Sequence, residues 1–166
     1  RSGGAANRIN PSTRVVLTEN AAGNNLTALD ISLPNSLFDP NDGVFTFDDD
    51  EKQKLVTYIR GTDPDTNIPR NHIGDIIHSK PVKLTRADGS ATIFVGSNEG
   101  FLHAINDADG TEAFAYMPRD LLKNIYNQYH KVANDSGHIY GVDGPITLWL
   151  DERGSTVDKI GNNILD

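Results

Sequence analysis

The chain contains no cysteine. That excludes disulfides, thiolate metal sites and a cysteine nucleophile, while leaving the compartment open. Positive charge is scarce too: 15 Lys and Arg stand against 23 Asp and Glu, a formal net charge of −8. An acidic chain gains nothing from counterion release, so nucleic acid is not an expected partner, and an anionic membrane surface is disfavoured for the same reason. No apolar run approaches the roughly 18 residues that a bilayer-spanning helix requires, so no membrane span is expected. The N-terminus, "RSGGAANRIN", is polar and glycine-rich and lacks the apolar stretch of a signal peptide. It also lacks an initiator methionine, which leads us to expect a chain excised from a longer protein.

The 166 residues are enough for one domain with a real core, and an apolar fraction of 37% suits a globular chain. Residues 1–12 read as a flexible leader. "RVVLT" (14–18) and "LTALDISL" (26–33) read as short strands separated by a turn, and "PNSLFDPNDG" (34–43) as loop. A helix follows. Asp48 stands three residues before Glu51, the spacing of a capping box, within an acidic run that suits a helix N-terminus, although Thr46 is a rival cap. Leu55, Val56 and Ile59 share a face, Arg60 sits in the last turn, and Gly61 can close the helix in the left-handed region. Residues 61–71 read as loop. A second helix is predicted after Pro118, with Leu121, Leu122, Ile125 and Tyr129 at helical intervals. "IYGVDGPITLWL" (139–150) is β-prone but broken at Gly144-Pro145, which predicts two short strands.

Residues 81–117 are the most patterned. They hold four candidate strands, 81–84, 91–95, 101–106 and 111–116, joined by "ADG", "GSNEG" and "DADG". Four short antiparallel strands within about 40 residues match one blade of a β-propeller. The strands show little in/out alternation, which suits a sheet covered on both faces. Gly96, Gly100 and Gly110 fit tight turns that need positive φ. No GxGxxG or P-loop spacing is present, so a phosphate cradle is not indicated. The expected fold class is therefore mainly β with flanking helices, centred on an antiparallel four-stranded blade of a partial propeller. Its expected divisions are 1–47 (leader, short strands and loops), 48–80 (helix and lead-in), 81–117 (first blade), 118–138 (helical insertion) and 139–166 (start of a second blade).

"IFVGSNEGFLHAINDADGTEAFAY" resembles the repeat of quinoprotein-type propellers. The ordered set "LVTYIRG", "GDIIHSKP", that repeat, "AYMPRDLL" and "YGVDGP" resembles the PilC/PilY-type tip-associated proteins of type IV pili, over roughly residues 45–150. Lys80 departs from the pattern, where a small residue is more usual. The resemblance implies a segment of a large secreted protein whose C-terminal half is a modified propeller, acting in pilus biogenesis and surface adhesion without enzymatic activity. It implies a location at the cell surface and pilus tip, reached through the periplasm and outer membrane. The partners it implies are the remaining blades of the parent protein, minor pilins and a host or abiotic surface. The alternative is a fragment of a quinone-dependent dehydrogenase propeller. The helix-bearing stretch 118–138 discriminates between the two, because a uniform enzyme propeller passes to its next blade through a shorter link.

No catalytic, cofactor-binding or metal-binding residue is expected within these residues. Members of the resembled family carry a calcium loop, and "DPNDG" (39–43) and "DADGTE" (107–112) look superficially like one. A calcium loop of the EF-hand kind needs oxygen ligands at positions 1, 3 and 5 and glycine at 6. With Gly43 or Gly110 at position 6, Phe38 or Ile105 falls at position 1, and both registers fail. Asp107 and Asp109 read as turn formers, and any calcium is expected in later parts of the parent. The five histidines, His72, His78, His103, His130 and His138, show no paired metal spacing. His103 is expected to be packed and hydrogen-bonded. His78 beside Ser79 invites a base–nucleophile reading, but neighbours in a strand point to opposite faces.

Overall fold

The computed structural model describes residues 4–40, 47–131 and 141–148. It is mainly β. A six-stranded sheet has the order β2-β1-β8-β7-β6-β5, and a second, two-stranded sheet pairs β3 with β4.

The glycine-punctuated stretch forms four consecutive strands, β5 (Val82–Thr85), β6 (Ala91–Gly96), β7 (Leu102–Asn106) and β8 (Glu112–Tyr116). Each pairs antiparallel with the next. The turns follow their chemistry: Asp88 Oδ1 accepts the Ser90 N–H at 2.8 Å, and Asp109 Oδ1 accepts the Thr111 N–H at 2.9 Å. Gly89, Gly100 and Gly110 all adopt positive φ. Gly96 does not, which corrects its reading as a turn glycine. It ends β6, and a Cβ there would lie 2.1 Å from the Val142 carbonyl oxygen. Close approach of another backbone, not turn geometry, requires glycine at this position.

The sheet does not stop at four strands. β1 (Val16–Glu19) lies parallel to β8, with Val16 opposite Ala115 and Leu17 opposite Tyr116, and β2 (Leu26–Ala28) pairs antiparallel with β1. β2 is shorter than the expected 26–33. Asp30 Oδ1 accepts from both the N–H and the hydroxyl of Ser32, a local turn that ends the strand, and Leu29 and Leu33 drop into the core beyond it. The leader is shorter as well: Ala5–Arg8 is a 3-10 turn, and Ile9 is buried. Within the expected loop 34–43, Asn35–Leu37 is a 3-10 turn and Phe38 is fully buried; residues 41–43 lie outside the described residues. Residues 61–71 contain the small hairpin β3 (Thr62–Asp63) and β4 (Ile68–Pro69), turned by Asp63 and by Asn67 at φ 57°. Of the two strands expected over 139–150, residues 141–148 form none. Val142 donates to the Ser97 carbonyl instead of joining a ladder, and Pro145 has no N–H to offer. Residues 139, 140, 149 and 150 lie outside the described residues.

Helix α1 (Asp49–Arg60) starts at Asp48, whose side chain accepts the Glu51 N–H at 2.8 Å, and closes on Gly61 at φ 103°. Asp48 is therefore the cap, and Thr46 lies outside the described residues. The Glu51 carboxylate faces His130 and Lys54. Helix α2 (Leu122–His130) follows a 3-10 turn at Arg119–Leu121, with Pro118 preceding it. Its buried residues are Leu122, Ile125 and Tyr126, with Leu121 and Tyr129 packed alongside.

One core joins these parts. Leu55, Val56 and Ile59 of α1 and Leu122, Ile125 and Tyr126 of α2 cluster with Val16, Ala115, Leu29, Leu33, Phe38, Phe101 and Met117. By strand register, Val16 and Ala115 share the inner sheet face with Val95 and His103. The outer face carries Leu17, Phe94, Leu102, Ala104, Phe114 and Tyr116, none of which belongs to the helix-packed core. Across this face, Phe94 and Phe114 flank Ala104 with ring centroids 6.4 Å apart, which buries Ala104 completely. The expectation of a sheet covered on both faces thus meets one face covered by helices and another that is only partly covered, mostly by its own side chains.

Replacing Asp48 with alanine removes the acceptor of the Glu51 N–H at the helix start and is expected to lower stability by about 1 kcal/mol, read as a shifted urea midpoint at unchanged m-value.

Candidate functional site

The most connected polar group in the fold is Glu112. It stands at the start of β8, beside a bulge in the β7–β8 register, and its side chain is 4% exposed. Arg14 grips its carboxylate with two bonds, Nε to Oε2 at 2.7 Å and Nη2 to Oε1 at 3.0 Å. His103 Nδ1 meets Oε1 at 2.7 Å. The third guanidinium nitrogen of Arg14 donates to the Ile59 carbonyl in the last turn of α1 at 2.7 Å, where the helix dipole favours a cation. The Phe101 ring lies 4.9 Å from the guanidinium carbon and adds a cation–π contact. His103 is fully buried, and its Nε2 meets the Ile73 carbonyl at 3.0 Å and the Ser97 hydroxyl at 3.2 Å. Burial alone would push the Glu112 carboxyl up. The hydrogen bonds from His103 and Arg14, together with the Arg14 charge, outweigh it and hold the carboxyl below its usual range.

This arrangement is closed. Both imidazole nitrogens and both carboxylate oxygens are engaged, and both side chains are buried away from solvent. The expectation that His103 is packed and hydrogen-bonded holds in this geometry. Glu112, weighed in the sequence only as part of an acidic turn, points the other way, into the protein. Arg14 carried no signal beyond its place in a short strand.

The other described histidines also face carboxylates. His72 Nδ1 meets Glu99 Oε1 at 2.6 Å; Arg70 holds the same oxygen at 2.8 Å and stacks 3.7 Å over the Tyr58 ring. His78 meets Asp143 twice, through its N–H at 2.8 Å and its ring Nδ1 at 2.6 Å, and the backbone bond leads in holding the Asp143 carboxyl down. His130 pairs with Glu51 between the two helices. His138 lies outside the described residues. Ser79 is not a partner of His78 in a strand, because residues 76–81 form none; its hydroxyl accepts the Gly96 N–H at 2.9 Å. Asp107 pairs with Lys83 at 2.7 Å, and Asp109 bonds both the N–H and the hydroxyl of Thr111. Of 39–43, only Asp39 and Pro40 are described.

Two phenols are also bound to carboxylates. Tyr116 donates to Glu19, which also accepts the Arg119 N–H at 2.8 Å, and Tyr129 donates to Asp65 at 3.0 Å. Burial and these hydrogen bonds push both phenols up to about 12, so both stay protonated at neutral pH. Among the described residues, no three His, Asp or Glu side chains converge in a way that could hold a metal ion. A shallow hollow of about 240 Å³ beside α1, lined by Pro11, Ser12, Gln53, Thr57, Arg60 and Thr62, gathers no acid–base pair. No helix among the described residues is long and apolar enough to cross a membrane. The polar groups of this chain hold its segments to one another.

Comparison with known proteins finds relatives over part of the chain. A protein of Xylella fastidiosa (strain Temecula1 / ATCC 700964) named Type IV pilus biogenesis factor PilY1 homolog is 27% identical over 123 residues, covering 55% of this chain and 10% of that protein. Another of the same name and organism is 47% identical over 57 residues, covering 34% of this chain and 4% of its own length. This chain is similar to type IV pilus biogenesis factors over part of its length. It spans a tenth or less of these curated relatives. No family model and no solved structure matches.

Replacing Glu112 with glutamine leaves Arg14 buried without its counter-charge and is expected to cost about 3–5 kcal/mol in urea unfolding. The pH dependence carries a definite sign. The folded carboxyl lies below its ordinary value of about 4.5, so its stabilisation is complete above that value and is lost as pH falls through the folded one. Wild type should therefore lose more stability on acidification below about pH 4.5 than the Glu112→Gln variant does, measured as urea midpoints across that range.

Proposed function

We propose that this chain is a non-enzymatic segment of a type IV pilus assembly and adhesion protein, built around one blade of a larger β-propeller. The observation that carries the reading is the similarity to two PilY1 homologues, both named as pilus biogenesis factors. The structure supports it with four consecutive antiparallel strands joined by tight turns, the succession that a blade requires. In this reading residues 81–117 are the blade, 118–138 a helical insertion and 139–166 the start of the next blade. The partly covered outer sheet face then belongs against a neighbouring blade. A pilus module acts by presenting a folded surface, which agrees with carboxylates and histidines committed to internal pairs. Its partners are the rest of the parent protein, minor pilins and a host or abiotic surface, and its location is the cell surface at the pilus tip. Any calcium belongs to other parts of the parent.

The test is deletion of this segment from the parent gene. Surface piliation and twitching motility should fall several-fold, while the intact parent should not reduce a dye at the expense of an alcohol. Normal pili after deletion, combined with dye-linked alcohol oxidation by the parent, would reassign the chain to a quinone-dependent dehydrogenase propeller.

A further inference from the structure

Arg60 ends α1, yet that helix end is already supplied with donors. The Ile59 carbonyl accepts from Arg14 Nη1 at 2.7 Å, and the Tyr58 carbonyl accepts from Arg70 Nη1 at 3.3 Å and from the Gly61 N–H at 3.0 Å. Two other guanidinium groups thus answer the partial negative charge of this C-terminus. Arg60 makes one long bond, from Nη2 to the Ser12 carbonyl at 3.4 Å, and forms no ion pair among the described residues. Asp30 feels its charge, but the hydrogen bonds of Ser32 lead in holding that carboxyl below its usual range. Arg60 instead lines the hollow of about 240 Å³ beside α1. The chain has 23 acids to 15 bases, yet the described lining of this hollow holds one cation and no carboxylate.

Three segments make its walls. Gln53, Thr57 and Arg60 stand at i, i+4 and i+7, one stripe of α1. Pro11 and Ser12 belong to a turn in which the Asn10 carbonyl accepts the Thr13 N–H at 3.1 Å and the Arg14 N–H at 2.8 Å. The bonds of Arg14 to Glu112 and Ile59 hold that turn beside the helix. Thr62 of β3 completes the lining. Thr57 Oγ1 donates to the Gln53 carbonyl at 2.7 Å and accepts from Gln53 Nε2 at 3.3 Å, which leaves Gln53 one amide hydrogen and its side-chain oxygen. The hydroxyls of Ser12 and Thr62 have no partner among the described residues.

We infer that this hollow binds an acidic sugar, a single ring carrying a carboxylate or a sulfate group. The anionic group belongs on Arg60, whose planar fork matches two oxygens at once. The ring hydroxyls, each both donor and acceptor, belong on Ser12, Gln53 and Thr62, which have the same double capacity. The Pro11 ring supplies an apolar patch for a face of the sugar. A volume of about 240 Å³ lies below the roughly 300–1,000 Å³ of sites for drug-sized ligands, which suits a ligand of one ring. The inference goes beyond the pilus reading and does not depend on it.

The test is titration of the intact 166-residue protein, labelled with ¹⁵N, followed by amide chemical shifts. The ligands are glucuronate and N-acetylglucosamine 6-sulfate, with glucose as the neutral ring and acetate and inorganic sulfate as bare anions. At least one acidic sugar should saturate the shifts of Ser12, Gln53, Thr57 and Thr62, and the one that does identifies the anionic group. Glucose and the bare anions should bind at least several-fold more weakly. Arg60→Gln should raise the dissociation constant about tenfold, and added salt should raise it as well. Thr62→Val, which keeps the side-chain shape, should raise it several-fold. Lys80→Gln makes the same change in net charge outside the hollow and should leave it unchanged. A urea midpoint close to that of wild type shows that each variant is folded. The inference is overturned if neither acidic sugar shifts these amides, or if Arg60→Gln binds as wild type does. It is equally overturned if glucose matches the acidic sugars, or if acetate or sulfate does, which would mean an adventitious ion only. Piliation is measured in cells on the parent gene, so the pilus reading stands or falls separately.

Discussion

The fold depends on a buried carboxylate that needs partners from far along the chain. Glu112 sits where water cannot solvate it, and an uncompensated charge there would cost several kcal/mol. Two bonds from Arg14 and one from His103 make its burial tolerable. Arg14 is 98 residues away in sequence, so satisfying Glu112 obliges the N-terminal segment to lie against β8. From that follows the parallel pairing of β1 with β8, and β2 then folds back to extend the sheet to six strands. Because Arg14 also donates to Ile59, the C-terminal end of α1 is fixed to the same point. One charge cluster thus sets where the N-terminal strands, the central hairpins and the first helix meet.

What was legible in the sequence was local. The Asp48 cap, the Gly61 stop, the four hairpin strands and the apolar stripe of α2 each follow from residues within a few positions of one another, and the structure agrees with them closely. What was not legible was non-local or masked by composition. Nothing near Arg14 or Val16 announces β8 as a partner, because a parallel pairing leaves no turn signature. Phe38 lies among prolines, asparagines and aspartates that read as loop, yet it is fully buried. Glu112 follows an Asp-Gly turn and was read with it, although strand geometry turns its side chain inward. Gly96 looked like a turn glycine, and its true reason is a backbone arriving from residue 142.

The same distinction applies to chemistry. In a sequence, histidines and carboxylates are candidates for catalysis or metal binding. In this structure His72, His78, His103 and His130 each meet a carboxylate drawn from another segment: Glu99, Asp143, Glu112 and Glu51. Such pairs work as ties. They join loop to turn, lead-in to downstream chain, strand to strand and helix to helix. Sequence spacing could exclude the familiar metal motifs, but it could not assign these partners, three of which lie 27 to 79 residues away.

The two faces of the sheet differ in how they are covered, and the difference bears on how the chain would work within a larger protein. The inner face is sealed by α1 and α2, whose own residues complete the core. The outer face shields itself only in part, with Phe94 and Phe114 closing over Ala104 while Val15 and Leu26 stay exposed at its far end. A sheet of this kind gains further stability only from what is laid on it, because apolar area left in water contributes nothing at roughly 25 cal/mol per Å². At the β6 end of that face the Val142 carbonyl closes over Gly96, and Asp143 next to it accepts twice from His78.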